Sequence, residues 1–182
     1  MGDDSDFTSL VAGRQAALLR FGWLLTADVE QAKDVVQEAL IEAYRRWSKI
    51  TPAGREAYIR KTMTHKVISR ARRKGERLAF FPDPPEPSAG PDGCESVPDR
   101  LTLEQALSRL TERQRLYLVL RFYEDLSVET VAKLMGVGVG TVKSQTRHAL
   151  QRLRTLAPEL AESFGDLQRV PDGLGDEDRW QI

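Results

Sequence analysis

Six of the chain's nine prolines fall in one run, FPDPPEPSAGPDGCESVP, between Phe81 and Pro98. Each proline removes a backbone donor and fixes φ, so neither a helix nor a central strand can cross this stretch. The chain is thereby divided into two parts, each of which must fold on its own residues. At 182 residues in total, each part can bury the modest core of a small domain.

Outside that run, strand signals are nearly absent and apolar residues recur at helical spacing. The fold class expected is all-α: two small helical domains joined by a flexible linker. A first helix is expected from about Phe7 to Leu25. A second follows Asp28, a good N-cap, and runs to about Trp47 with Val36, Leu40, Ala43 and Trp47 on one stripe. Ser48 to Gly54, with Pro52, reads as a loop. A third helix is expected from Arg55 to Arg77, burying Tyr58, Ile59, Met63, Val67 and Ile68. The domains so defined are 7–78 and 101–157, with a linker at 79–100 and a tail at 158–182.

The formal net charge is zero, but the charge is segregated. Residues 55–77 hold nine basic and two acidic side chains, a balance of +7, and residues 101–157 hold nine and five, a balance of +4. The linker (79–100) carries −4 and the tail −5. Two basic segments alternating with two acidic ones fit a nucleic-acid partner better than the average suggests.

The second basic segment carries a reading head. Thr111-Glu-Arg-Gln114 has the form of a capping box, followed by Leu116, Val119, Leu120 and Tyr123 on one face. Ser127 caps a short helix, Val128 to Met135, and Gly136 supplies the left-handed residue that ends it. Ala132, Gly136 and Val142 stand where a helix-turn-helix needs a small side chain at closest approach, a turn glycine and an apolar plug. Val131, Met135 and Val137 would complete that core. On the following helix Val142, Thr146, Ala149 and Leu153 face inward, and Lys143, Ser144, Arg147 and Gln151 outward. Thr141, Ser144 and Gln145 are placed to read bases, and Lys143, Arg147 and His148 to hold phosphates.

Other chemistry is poorly represented. There is no nucleophile elbow or phosphate-binding glycine loop, so no enzyme is expected. His65 and His148 lack partners at metal-ligand spacing, and no metal or cofactor is expected. The single cysteine, Cys94, precludes an internal disulfide and suits a cytoplasmic location. The acidic N-terminus does not resemble a secretory signal, and no apolar run is long enough for membrane insertion.

The N-terminal segment Asp34-Val-Val-Gln-Glu38, the basic stretch from Ala57-Tyr-Ile-Arg60 to Arg77, and Leu126 to Arg147 with Gly140-Thr-Val-Lys-Ser144 stand in a telling order. Together they resemble the bacterial sigma-70 family, in its extracytoplasmic-function group and its actinobacterial sigma-E-like subfamily, over about residues 7–157. The resemblance implies a sigma factor that joins core RNA polymerase, directs it to promoters and assists their melting. It implies that Asp34, Val35, Val36, Gln37 and Glu38 dock on the clamp helices of the polymerase β′ subunit. Trp47, Tyr58, Arg60, Lys61, His65, Lys66, Arg70, Arg72 and Arg73 would serve the −10 element. Thr141, Lys143, Ser144, Gln145, Arg147 and His148 would serve the −35 element, with this domain on the β flap. An anti-sigma factor is a further partner known in the family. The chain departs from the family's usual Asn at His65, Ser at Gly138 and Arg at Gln145.

An ordinary helix-turn-helix regulator is the rival reading, but residues 1–78 offer neither βα alternation nor a phospho-acceptor pocket for a sensor domain. The acidic tail has two readings: a solubilising end, or a segment that folds back on the basic helices.

Overall fold

The computed structural model describes residues 2–73 and 103–158; the proline-rich linker with Cys94 and the acidic tail lie outside the described residues. Seven α-helices, two 3₁₀ turns and one π turn make up the described elements. In the first domain, α1 (Gly2–Thr26), α2 (Val29–Arg45) and α3 (Arg55–Arg73) pack together around one core. Between α2 and α3 run two 3₁₀ turns, Trp47–Lys49 and Pro52–Gly54, where the sequence reads as a loop.

Helix α1 begins at Gly2, a turn and more before the expected start at Phe7. Acidic side chains suit a helix N-terminus. Asp4 also accepts a hydrogen bond from the Tyr44 hydroxyl on α2 (2.8 Å), tying the early turn to the domain. Gly22 on α1 lies where a Cβ would meet the Ala32 carbonyl oxygen at 3.1 Å, so α1 and α2 approach closely enough that a larger residue would require them to give by a few tenths of an ångström. Asp28 caps α2 as expected, its carboxylate accepting from the Gln31 N–H at 2.8 Å. The buried stripe of α2 is broader than the sequence suggests: Ala32, Val35, Val36, Ala39 and Ala43 are buried, whereas Leu40 is only half-buried. On α3, Ile59, Met63, Val67 and Ile68 are buried as expected, with Tyr58 half-buried.

The second domain comprises α4 (Leu103–Ser108), α5 (Glu112–Leu118), α6 (Val128–Met135) and α7 (Val139–Leu156). The capping box at Thr111 and Gln114 is present in both directions. Ser127 caps α6, and Gly136 ends it at φ 65°, a conformation costly for a residue with a Cβ. Ala132, Val131, Met135 and Val142 are buried between α6 and α7, which completes the helix-turn-helix.

One local feature departs from expectation. After α5 the backbone widens into a single π turn, Val119–Tyr123. The extra residue shifts the register, so Leu116, Val119 and Leu120 stay buried while Tyr123 is rotated outward and left 47% exposed. Such turns are a recurrent mark of functional sites.

The apolar cores of the two domains meet. A single cluster runs from Leu18, Phe21 and Leu25 of α1 to Leu116, Tyr117 and Leu120 of the second domain. Burying a side chain of this size is worth about 1.5–3 kcal/mol, so the junction is an energetic part of the fold.

Candidate nucleic-acid and polymerase interface

Three surfaces hold most of the residues that the sequence singles out; Val35, Val36 and Trp47 are buried and Arg60 points elsewhere. The first is the outer face of α2. Asp34 and Gln37 are exposed, whereas Val35 and Val36 point into the core at 0% and 4% exposure. Glu38 turns toward α3, where its carboxylate meets Lys66 (3.3 Å) and Arg70 (2.6 Å). Burial works to raise the Glu38 pKa, but the bonds and charges of Arg70 and Lys66 prevail and hold the carboxyl below its ordinary value. Beside Gln37 the face is apolar: Ile41 and Tyr44 are half-exposed or more. With Phe7, Val11, Leu40 and Arg45 they line a groove of about 480 Å³. Gln37, Ile41 and Tyr44 stand at i, i+4, i+7, so they share one helix face. Sequence reasoning passed over Ile41 and Tyr44; the available signal was two large apolar residues on an otherwise polar face.

The second surface is the groove between α2 and α3, about 1060 Å³ in volume. Tyr58, Lys61, His65, Lys66 and Arg73 line it, facing Glu38, Glu42 and Arg46. Trp47, expected to serve the same site, does not line the groove but sits in the core. It is 3% exposed, edge-on to Phe7 at 4.9 Å between centroids, with the Arg55 guanidinium 4.1 Å above its ring. Arg70 pairs with Glu38 at the edge of the groove. The Arg72 side chain is outside the described ones. Arg60 is turned away from the groove. Its guanidinium lies over Phe21 of α1 (4.2 Å) and pairs with Glu124 of the second domain, the Nε donating at 3.0 Å. Burial opposes the charge on Arg60, but Glu124 and then Tyr123 outweigh it and raise its pKa.

The third surface is the start of α7. Lys143 and Arg147 are exposed, and Thr141, Ser144, Gln145 and His148 are half-exposed on the first three turns. The Ser144 hydroxyl donates back to the Thr141 carbonyl (3.1 Å), which leaves its lone pairs as acceptors. Gly138 is the N-cap of α7 and supplies no side-chain bond to the helix start, so the first amides of α7 are left to an external acceptor.

A second arginine, Arg115, is buried at the domain junction, and its sequence context gave no sign of this. It donates to the carbonyls of Leu25 (3.5 Å) and Thr26 (2.9 Å) on α1, and of Leu107 (3.2 Å) and Leu110 (3.3 Å) beside α4. Burial lowers its pKa, with Glu112 opposing. Among the described residues no group of His, Cys, Asp and Glu could hold a metal ion.

A helix-turn-helix with an exposed basic reading helix, joined to a helical domain with a basic groove, defines a two-domain DNA-binding protein. Comparison with known proteins narrows the class. Sigma-70 region 2 matches residues 10–77 and Sigma-70, region 4 matches residues 106–155. The RNA polymerase sigma-E factor of Streptomyces coelicolor is 37% identical over 156 residues, covering 85% of this chain and 87% of that protein. The ECF RNA polymerase sigma factor SigL of Mycobacterium tuberculosis is 31% identical over 151 residues, covering 80% and 85%. In fold, the chain is similar to the sigma factor RpoE in complex with the anti-sigma factor NepR from Bartonella quintana. That likeness has a TM-score of 0.52 at 22% identity and covers 83% of this chain and 96% of that one. The chain belongs to the sigma-70 family of RNA polymerase sigma factors, in the extracytoplasmic-function group.

Proposed function

We propose that this sigma factor uses its three surfaces for three separate tasks in promoter recognition. Asp34 and Gln37, with the apolar groove around Ile41 and Tyr44, dock on the β′ clamp helices of core RNA polymerase. A half-exposed apolar patch flanked by polar side chains has the anatomy of a protein interface. Val35 and Val36 hold this face in place from the core, and Glu38 braces α2 against α3.

The groove between α2 and α3 takes the −10 element. Lys61, Lys66 and Arg73 supply charge for the phosphates of a displaced strand, and Tyr58 a ring for an unstacked base. His65 lies on the same wall. The first turns of α7 read the −35 element through Thr141, Ser144 and Gln145, with Lys143, Arg147 and His148 on the phosphates, and this domain rests on the β flap. An anti-sigma protein is a further partner. Polymerase performs the chemistry, and the protein works in the cytoplasm beside it. No described helix is long and apolar enough to cross a membrane.

The observation that carries this reading is that one chain exposes a reading helix in one domain and a basic groove beside an apolar patch in the other. Run-off transcription with purified core polymerase on genomic fragments tests it. Discrete start sites are expected only with the protein, and should vanish when Asp34 and Gln37 are changed to Ala. DNA binding with no start sites and no association with core would establish the ordinary-regulator reading instead.

A further inference from the structure

The groove between α2 and α3 has one basic wall and one that carries acid. Lys61, His65, Lys66 and Arg73 line the α3 side, and Glu38 and Glu42 stand opposite them on α2. The two carboxylates are not equivalent. Glu42 pairs with Arg46, four residues on in its own helix, at 3.0 Å. Glu38 instead reaches across to α3 and gives one oxygen to each of two cations. Its Oε2 meets the Lys66 Nζ at 3.3 Å, and its Oε1 meets the Arg70 guanidinium at 2.6 Å.

Lys66 and Arg70 stand at i, i+4, so α3 turns both to the same side. Carboxylate and phosphate oxygens are alternative acceptors for the same ammonium and guanidinium donors. While Glu38 holds these two, a strand lying in the groove meets cations already partnered and a negative charge beside them. A phosphate gains either cation only by displacing the carboxylate. That exchange is open to it, because the Glu38 side chain is 46% exposed and ion pairs this open to water are weak.

Phosphate contacts carry no sequence information, which comes from contacts to the bases. Holding back two cations therefore lowers the part of the affinity that every strand shares. The part contributed by the Tyr58 ring against a base is left as it was, and so weighs more. We infer that Glu38 is a specificity-determining residue of the groove: its carboxylate competes with strand phosphates for Lys66 and Arg70 and holds down sequence-independent binding. This rests on the reading above that the groove takes a displaced strand.

The test uses the full chain without polymerase and short fluorescent strands of dT, dA and dC, with affinity read by anisotropy across a series of salt concentrations. Glu38→Gln removes the charge, and Glu38→Ala removes the bonds as well; circular dichroism follows the folding of both. Each should bind about threefold more tightly at low salt, the size that two weak pairs support. The factor should be the same for all three strands, because the released cations meet phosphates. The dependence of log affinity on log salt should steepen by about 0.7 for each cation that passes to a phosphate. A residue that only braced two helices would leave that slope alone. Glu42→Gln, which neutralises the carboxylate paired within α2, should leave the slope as in the wild type.

Folded Glu38 variants with unchanged affinity and slope overturn the competition. So does a Glu42→Gln protein that matches them in both, since the charge of the wall as a whole would then be responsible. Tightening confined to one of the three strands contradicts the sequence-independent effect. Lys61→Ala separates these failures from failure of the groove reading, because Lys61 lines the groove outside the Glu38 pairs. If it weakens binding to every strand while the Glu38 variants change nothing, only the competition falls. If it binds all three strands as the wild type does, the groove reading falls and the competition with it.

Discussion

Glu38 illustrates how one side chain can serve a fold while standing in a motif that suggests contact with a partner. It lies in the DVVQE segment, but its carboxylate bridges α2 to Lys66 and Arg70 on α3. Burial works against its charge, and the two cations more than compensate, so its folded pKa is depressed. A depressed carboxyl contributes stability that is fully present above its unfolded pKa and is lost as pH falls through the lower folded value. The side chain is 46% exposed, which limits the contribution to the range of about 0.2–1 kcal/mol seen for surface pairs. Glu38→Gln should therefore lower stability slightly at neutral pH and flatten its fall through the acid range. Urea unfolding at a series of pH values from neutral to acid measures this. A variant curve parallel to that of the wild type throughout would show that the cations do not shift the group.

Helix ends are where the sequence was most legible and where its rules can be turned into a prediction. Asp28, Thr111 with Gln114, Ser127 and Gly136 all stand at the caps that local chemistry assigns them. Capping depends on neighbours within four residues, so the sequence contains all the information. The end of α1 breaks the rule. Ala27 adopts φ 51° there, a left-handed residue with a Cβ, and its N–H closes on the Trp23 carbonyl at 2.7 Å. Alanine in this region is strained by roughly 1 kcal/mol. Ala27→Gly should raise the unfolding free energy by about 0.5–1 kcal/mol, despite the greater freedom of the unfolded chain. A chemical denaturation midpoint equal to or below that of the wild type would contradict it. The reverse case is the π turn at Val119–Tyr123, where helical spacing wrongly placed Tyr123 inward. Apolar spacing assumes the regular helical repeat, so the change of register that a π turn introduces is not contained in that pattern. The site divides in the same way. The exposure of Lys143 and Arg147 on α7 and the burial of Trp47 at the end of the α2 stripe followed from helical period, whereas the turning of Arg60 depended on tertiary packing.

At the scale of the whole molecule, the question is what makes two separately encoded domains act as one body. Charged residues are seldom buried without partners, and Arg115 is 4% exposed because it has found four. Two are carbonyls at the end of α1 and two are carbonyls at and beyond α4, so one planar guanidinium satisfies chain ends from both domains. Lysine, with a single compact head, could not fan across that spread. The junction also shares the apolar cluster of Leu18, Phe21, Leu25, Leu116 and Leu120, which couples the unfolding of one domain to that of the other. Arg115→Met keeps the length of the apolar stem and removes every donor. The freed carbonyls would then face a dry junction, at a combined cost of about 3 kcal/mol. For a chain of this size that corresponds to a melting temperature lower by roughly 6–12 °C. Calorimetry should show more than the shift. The wild type should unfold in one transition, with calorimetric and van't Hoff enthalpies equal, while the variant should separate into two as each domain melts alone. A single transition at an unchanged temperature would mean that the apolar cluster alone joins the domains, and that the arginine merely fills a space between them.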